Sequence, residues 1–125
     1  MLSIIQSEIL KRMSPLEKSE DSVYSTSVCF TSDFTGFEGH FPQHPIVPAV
    51  CLLSLVELVA KQIADNWTFA VSRIIAMKFR MPILPDEKVS VKASTDFSDN
   101  GELLVNAIIS KEEDAWAAKI RIALK

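Results

Sequence analysis

The sequence predicts an α+β fold in which a curved antiparallel β-sheet wraps around one long central helix. Residues 48–65 carry apolar side chains around nearly the whole circumference, which is typical of a buried helix. Residues 87–97 alternate apolar and polar side chains, as a strand with one buried face does. Consecutive strands joined by short turns indicate an antiparallel sheet that covers the helix.

The N-terminal part is predicted to contain a helix, a strand and a long loop. Residues 2–12, within a helical segment bounded at 1–13, place apolar side chains at helical spacing, and Ser14-Pro15 ends the helix. Residues 23–31 are rich in β-branched and aromatic types and are predicted as a strand. Residues 32–47 form an irregular loop, and loops of this length are often functional.

The remaining elements are the central helix and four further strands. The helix is predicted over 48–65, with Pro48 at its first helical position, where an N–H is not needed. Asp99-Asn100-Gly101 is a turn signal. The strands are predicted over 68–80, 87–97, 102–110 and 115–124.

Composition limits the classes of function. At 125 residues the chain has the length of one domain, so 1–125 is predicted to be a single domain. A net charge of −3 argues against a general nucleic-acid binder. Three glycines and two histidines provide no phosphate loop and disfavour a zinc site, so we expect no metal and no cofactor.

The cellular location is also predicted from composition. No apolar run reaches the ~18 residues of a membrane span, and the N-terminus lacks the features of a secretory signal. Cys29 and Cys51 lie in apolar surroundings without metal-ligand spacing, and we interpret them as reduced core thiols. A cytoplasmic protein is expected.

A histidine in the long loop and the start of the central helix are predicted to point at one place. His40 lies in a proline-punctuated stretch that leads directly into the helix at Pro48. The first N–H groups of a helix have no partner within it and attract developing negative charge. An imidazole beside such a helix start suggests a pocket for an acyl thioester.

Two stretches carry a family resemblance. The first is Gly39-His40-Phe41-Pro42, followed by Pro45-Ile46-Val47-Pro48 and the apolar helix. The second is Met77-Lys78-Phe79-Arg80-Met81-Pro82-Ile83-Leu84-Pro85-Asp86. Together with the strand order, they resemble the β-hydroxyacyl-acyl carrier protein dehydratases of the hotdog fold over about residues 22–124.

The resemblance implies a site and an assembly. It implies a homodimer or a larger homo-oligomer, in which the sheets of two subunits join and the acyl chain enters a tunnel at their interface. His40 matches the catalytic histidine, and the backbone N–H of Ala49 matches the donor to the thioester carbonyl. The acyl group is carried by an acyl carrier protein or by CoA. The residues assigned to the substrate pocket are Phe37, Gly39, Phe41, Pro48 and Leu58.

The sequence departs from the family at the second catalytic residue. Fourteen residues after the histidine the family has Glu or Asp, and this chain has Ser54. A hydroxyl is a poor acid or base near neutral pH, and losing a general acid–base group typically costs ~10²–10⁴ in rate. Ala49 also replaces a usual glycine and Leu58 a usual polar residue. Glu57 is an alternative carboxylate, although its ordinary interpretation is a solvated or interface residue.

Ser54 and the loop residues have ordinary interpretations beside the functional ones. Ser54 is a small residue bonded back to a helix carbonyl, a polar group lining the pocket, or a nucleophile activated by His40. His44 is predicted to be an exposed loop residue. Phe37 and Phe41 fit core packing as well as an apolar lid.

Two cations on a strand have two interpretations of equal weight. Lys78 and Arg80 project from the same strand face. They contact an acidic carrier protein, or they belong to a solvated sheet face.

Three functions follow from these residues. The leading prediction is a dehydratase-family enzyme acting on 3-hydroxyacyl thioesters. The second is a non-catalytic subunit that binds acyl chains or pairs with an active hotdog paralogue, which Ser54 favours. The third is a hotdog thioesterase in which a polar residue positions water, although the motif around His40 favours dehydratase ancestry.

Overall fold

The computed structural model describes residues 2–19, 22–38, 43–112 and 115–125. Within these ranges the elements are α1 (Ile4–Arg12), β1 (Glu17–Lys18), β2 (Val23–Cys29), a 3₁₀ helix (Thr35–Phe37), α2 (Ala49–Ala64), β3 (Val71–Phe79), β4 (Lys88–Phe97), β5 (Leu103–Glu112) and β6 (Ala115–Leu124). The described strands form one six-stranded antiparallel sheet in the order β1-β2-β4-β5-β6-β3. The predicted α+β class, with one long helix and an antiparallel sheet, is confirmed.

Helix α2 is the centre of the hydrophobic core. Its buried side chains are Cys51, Leu52, Leu55, Val56, Leu58, Val59 and Ala60. The predicted position of Pro48 within the helix is wrong, because its extended backbone (φ −62°, ψ 149°) makes it the N-cap. Asp65 ends the helix in a left-handed conformation (φ 50°). In the part of the chain that the structure describes, no helix is long and apolar enough to cross a membrane.

One stripe of α2 is less covered than the sequence predicts. Val50 is 65% exposed, and Ser54, Glu57 and Lys61 are only partly buried. Residues at this spacing lie on the same side of a helix. The prediction of burial on all sides is therefore wrong at Val50, whereas the Glu57 and Lys61 side chains are only 19% and 12% exposed. We call this side of the helix the open stripe.

The strands follow the predicted alternation. On β4, Val89, Val91 and Ala93 are buried, whereas Lys88 and Lys92 are exposed. The predicted strand ends differ from the observed ones by up to three residues. The strand β1 was not predicted from the sequence, because two residues are too few to show the alternation of apolar and polar side chains that indicates a strand.

Helix α1 packs on α2 and is shorter than the predicted segment. Ser3 caps its N-terminus in a capping box with Gln6, in which each side chain accepts a hydrogen bond from the other residue's backbone N–H. Lys11 and Arg12 lie in the last turn, where the helix dipole favours cations. The helix buries Ile9 completely.

Strand β3 is an open edge of the sheet with apolar side chains in solvent. It lies at one end of the strand order and pairs with β6. Ile74 and Phe79 on this strand are 51% and 50% exposed. An edge strand with exposed apolar side chains and unpaired backbone groups favours association with another strand.

A buried carboxylate fixes the beginning of β3 to the turn between β4 and β5. Glu102 accepts hydrogen bonds from Arg73 Nε and Nη2, from Ser72 Oγ at 2.6 Å, and from Asn100 Nδ2 at 3.0 Å. Ser72 lies between Val71 and Arg73, where the register with β6 shifts. Hydrogen bonds from Arg73, Ser72 and Asn100 lower the pKa of Glu102 from 4.5 to about 2.

Glu102→Gln is expected to weaken the fold in a pH-dependent manner. Because the pKa of Glu102 is about 2 in the folded protein and ordinarily 4.5, its ionised form stabilises the fold above pH 4.5. That contribution is lost as the pH falls from 4.5 towards 2. Thermal unfolding of wild type and Glu102→Gln is therefore expected to show a difference in Tm at pH 7 that narrows below pH 4.5.

The control for this prediction is Glu17→Gln, which makes the same change of charge at an exposed position on β1. A Tm difference between wild type and Glu102→Gln that stays constant from pH 7 to pH 3 would contradict the assignment.

Candidate active site

Aromatic packing positions the segment that precedes the histidine motif. Phe34 packs against Phe30 with ring centroids 5.0 Å apart and against Phe37 in an edge-to-face contact at 5.6 Å. All three belong to the hydrophobic core. Phe37, predicted to line the pocket, is therefore a core residue of this segment.

Gly36 allows the same segment to lie directly on α2. A Cβ atom added at Gly36 would lie 2.7 Å from Phe34 Cζ and 3.0 Å from Cys51 Sγ, and would overlap Phe34 Cε2 as well. Phe34 and Cys51 are both buried, so neither is free to move away. The glycine is needed at this position for space, because a methyl group has no room.

Helix α1 holds this segment from the other side. Glu8 Oε1 accepts the Thr35 N–H at 3.1 Å. Arg12 donates from Nη2 to Asp33 Oδ1 at 3.2 Å and from Nε to Thr31 Oγ1 at 3.3 Å. Hydrogen bonds from Thr35 lower the pKa of Glu8 below its ordinary value. The sequence did not predict these contacts between α1 and the loop, because no local pattern relates residues 19 to 27 positions apart.

The histidine motif itself lies mostly outside the described residues. Gly39, His40 and Phe41 fall between 38 and 43, so their predicted roles stay predictions. His44 lies in the described part and is exposed, as predicted.

The start of α2 opens into a pocket. Among the described residues, the backbone N–H groups of Ala49 and Val50 have no acceptor, whereas Cys51 N–H bonds to the Pro48 carbonyl at 2.9 Å. The pocket has a volume of about 330 Å³ and is lined by Ile46, Val47, Ala49, Phe79, Arg80, Met81, Pro82 and Ile83. A helix start with free N–H groups at an apolar pocket is suited to bind a carbonyl oxygen.

A backbone hydrogen bond joins the two sequence motifs around this pocket. The Val47 N–H donates to the Ile83 carbonyl at 2.8 Å. The bond ties the loop before α2 to the segment after β3. The structure thus brings Ala49 and Arg80, both predicted site residues, to one pocket, with the partly buried Pro48 beside Ala49.

Ser54 lies on the open stripe of α2, one turn after Val50. Its Oγ makes no hydrogen bond to another described residue, so the alternative of a bond back to a helix carbonyl has no support. Glu57 is paired with Lys61, with Oε1 and Nζ 3.2 Å apart. Leu58 is fully buried in the core.

The buried thiol of Cys51 packs in the core, as predicted. Burial and then the nearby Glu8 carboxylate raise the pKa of Cys51. A thiol is inert while protonated, so Cys51 is not a nucleophile of this site.

The two predicted carrier contacts lie at the rim of the sheet. Lys78 is exposed on β3, opposite Lys119 on β6. Arg80 borders the pocket, and its guanidinium carbon lies 5.4 Å from the centroid of the Trp116 ring.

Comparisons with known proteins agree with this architecture. Residues 16–119 match the model of the ApeI-like family, described as the ApeI dehydratase. The chain is 30% identical over 101 residues to the 3-hydroxyacyl-[acyl-carrier-protein] dehydratase FabZ of Geotalea uraniireducens, covering 74% of this chain and 68% of that protein.

Solved structures show the same fold. The dehydratase heterocomplex ApeI:P from Xenorhabdus doucetiae has a chain that is similar with a TM-score of 0.71 and 21% identity, over 90% of this chain and 95% of that one. A hypothetical thioesterase with coenzyme A from Streptococcus pneumoniae matches with a TM-score of 0.71 and 8% identity, over 96% of this chain and 91% of that one. These similarities confirm the hotdog fold.

Gly36→Ala is expected to destabilise the protein by about 1–3 kcal/mol, the usual cost of overpacking a core. The added methyl group would displace Phe34 or Cys51. The measurement is urea unfolding of both proteins, with Asp99→Ala at an exposed turn position as the control. If Gly36→Ala were as stable as wild type, the segment around Gly36 would not be tightly packed against α2.

Proposed function

The chain belongs to the family of ApeI-like dehydratases, and from this premise we propose that it acts on 3-hydroxyacyl thioesters. The observation that carries the proposal is the pocket at the start of α2. There Ala49, whose N–H has no acceptor among the described residues, meets a largely apolar lining. A relative is named as a dehydratase of acyl groups on an acyl carrier protein, and the same carrier is proposed here. CoA is the alternative carrier.

The proposed reaction uses the helix start to bind and the histidine to move protons. The thioester carbonyl oxygen accepts a hydrogen bond from the Ala49 N–H, so negative charge on that oxygen is stabilised when the α-proton leaves. His40 removes the α-proton. The β-hydroxyl is protonated and leaves as water while the double bond forms between the α and β carbons. This chemistry needs only side-chain and backbone groups, so no cofactor is proposed.

Ser54 occupies the position from which a carboxyl group would share the proton transfers. Its place on the open stripe of α2, without a partner among the described residues, supports a role as a polar group that lines the site. A serine hydroxyl protonates a leaving group far less well than a carboxylic acid does. We therefore propose that dehydration by this chain alone is slow.

Ser54→Glu is expected to raise the rate of dehydration by ~10²–10⁴, the usual contribution of a general acid–base group. His40→Ala is expected to abolish it in both backgrounds. The assay follows enoyl product and free thiol together, from 3-hydroxyacyl thioesters of several chain lengths. Ser90→Glu, at an exposed position on β4, is a control that adds the same charge outside the pocket.

The outcomes of this assay separate the candidate functions. Enoyl product that depends on His40 supports the dehydratase. Free thiol without enoyl product would identify a thioesterase instead. Absence of both products from wild type and from Ser54→Glu would overturn the proposed activity.

A second candidate is a subunit that completes its site with another hotdog chain. The specific observation that favours it is Ser54 in place of the carboxylate, on a stripe of α2 that the chain itself leaves open. A structural neighbour is described as a dehydratase heterocomplex. We propose that such a partner, whether a second copy or a paralogue, pairs with the open edge of β3.

A cytoplasmic location is proposed as well, because both cysteines are free thiols.

Ile74→Lys is expected to weaken this assembly, because it places a charge on the apolar open edge. We expect wild type to elute as a dimer or a larger oligomer, and Ile74→Lys to shift towards monomer at the same micromolar concentration. The matched control is Ile108→Lys, since Ile74 and Ile108 are 51% and 42% exposed on strands. The measurement is size-exclusion chromatography with light scattering.

A monomeric wild-type chain would contradict the assembly through a second copy and would leave the paralogue as the partner to test. An equal shift in both variants would show that β3 is not the interface.

A further inference from the structure

A polar side of helix α1 faces the segment that precedes the histidine motif. Glu8 and Arg12 lie one helical turn apart, and their side chains are only 20% and 18% exposed. Glu8 Oε1 accepts the Thr35 N–H at 3.1 Å, and Arg12 donates to two side chains earlier in the same segment. We call Glu8 and Arg12 the α1 clamp, and residues 31–37 the clamped segment.

Four contacts fix the guanidinium of Arg12. Nη1 donates to the Glu8 carbonyl of its own helix at 3.0 Å, Nη2 donates to Asp33 Oδ1, and Nε donates to Thr31 Oγ1. The guanidinium carbon also lies 5.5 Å from the centroid of the Phe34 ring. A planar fork of donors holds several acceptors in one geometry, which a lysine ammonium does not. Arg12 therefore fixes where the clamped segment lies relative to α1.

Helix α1 is attached to the protein without these polar contacts. Ile9 is fully buried, and Leu2, Ile5 and Leu10 pack against the core. The clamp also has an energetic cost, because Glu8 Oε2 is buried and has no hydrogen-bond partner among the described residues. A carboxylate adds what an apolar side chain lacks, a directional bond that fixes the backbone whose N–H it accepts. The clamp thus serves position more than attachment.

The second sequence motif also holds the clamped segment. Asp86 Oδ1 accepts the Ser32 N–H at 3.2 Å, and the Asp86 N–H donates to the Phe30 carbonyl at 2.8 Å. The same motif contributes Ile83 to the pocket at the start of α2. The clamped segment is therefore bonded both to α1 and to the segment that lines the pocket. Along the chain it ends three residues before His40.

The α1 clamp lies outside the region that this chain shares with its family model. The match covers residues 16–119, whereas α1 ends at Arg12. The clamped segment and the histidine motif both lie within the match. The groups proposed to react therefore belong to the family region, and α1 adds contacts to that region from outside it.

We propose that Glu8 and Arg12 are positioning residues for the proposed dehydration, because they fix the segment from which the chain enters the histidine motif. This inference rests on the proposed function. The thioester carbonyl is proposed to bind at Ala49, which forms no hydrogen bond with the clamp. Loss of the clamp therefore leaves thioester binding intact and slows proton transfer by His40. A misplacement of about 1 Å is enough to cost ~10²-fold in rate.

The test compares two neighbouring cations in the last turn of α1. Arg12→Ala removes the bonds from the clamp to Asp33 and Thr31, and Lys11→Ala removes an exposed cation beside it. Both are made in the Ser54→Glu background, in which the proposed reaction is expected to be fastest. We expect Arg12→Ala to lower kcat for enoyl formation by about tenfold or more, with KM changed by less than about twofold. Lys11→Ala is expected to change neither.

A second pair of variants separates positioning from packing. Glu8→Leu fills the space without an acceptor for the Thr35 N–H, whereas Glu8→Gln keeps an oxygen acceptor. In the same background we expect Glu8→Leu to lower kcat and Glu8→Gln to retain most of it. If Glu8 only packed against the segment, leucine would serve at least as well as glutamine.

Hydrogen exchange measures the clamp without turnover. Amide exchange followed by mass spectrometry is expected to be faster over residues 31–38 in Arg12→Ala and Glu8→Leu than in wild type. Lys11→Ala is expected to exchange as wild type does. A thermal melt of each variant sets an assay temperature at which all of them are folded.

Each outcome decides the inference. A fall in kcat at constant KM, retained activity in Glu8→Gln and faster exchange over 31–38 support it together. Equal kcat in Arg12→Ala and Lys11→Ala, in a background that dehydrates, would overturn it and leave the proposed function intact. A rise in KM without a fall in kcat would overturn it as well, because the clamp would then act on binding. Absence of turnover in every background would overturn the proposed function and the positioning role with it, and faster exchange would then mark the clamp as purely structural.

Discussion

Burial of helix α2 is the constraint on which the rest of the structure depends. The helix is too apolar to stay in water, so the alternating strands β4, β5 and β6 supply the apolar face that covers it. The same packing decides where the helix begins. Pro48 caps it, and the Val47 N–H is fixed to the Ile83 carbonyl. Ala49, whose N–H has no acceptor among the described residues, therefore lies at the same pocket as the segment after β3. The position of the candidate site is thus a consequence of how the core is closed.

Several apolar side chains that stay exposed belong to the two elements that border the pocket. Ala49 from the start of α2 and Phe79 from the open edge of β3 line the same pocket. The exposed apolar residues Val50 and Ile74 belong to these two elements. A strand that pairs with β3 would therefore border the pocket as well. The proposed assembly through β3 would therefore place a second chain beside the proposed site.

The sequence was sufficient for features that depend on local spacing and insufficient for those that depend on register. Alternation on β4 and the apolar run of α2 predicted both elements, because each pattern is complete within about fifteen residues. The bonds from Arg73 to Glu102 and from Thr35 to Glu8 join residues 29 and 27 positions apart. The register shift at Ser72 likewise exists only once β6 is in place.

In the candidate site, too, only the features with a local sequence signal were predicted. Family motifs located Ala49 and Arg80, and both line the observed pocket. Gly36 carried no signal beyond being a glycine in a loop, since its tight contact with Cys51 arises only when the loop lies on α2. Lys78 was predicted as an exposed cation, but its position opposite Lys119 became visible only through the pairing of β3 with β6.

Replacing the carboxylate by Ser54 affects the two halves of the site unequally. In the proposed reaction, binding of the thioester carbonyl relies on a backbone N–H group at the start of α2, which no side-chain substitution removes. Proton transfer in that reaction relies on His40 and on the side chain at position 54, and losing a carboxyl group there raises the barrier by about 3–5 kcal/mol. The pocket also depends on core packing that Ser54 does not disturb, since that residue lies on the open stripe. Under the proposed function, such a chain keeps the capacity to bind an acyl thioester while its own dehydration is slow. That combination is what the proposed pairing with a subunit carrying the missing acid requires.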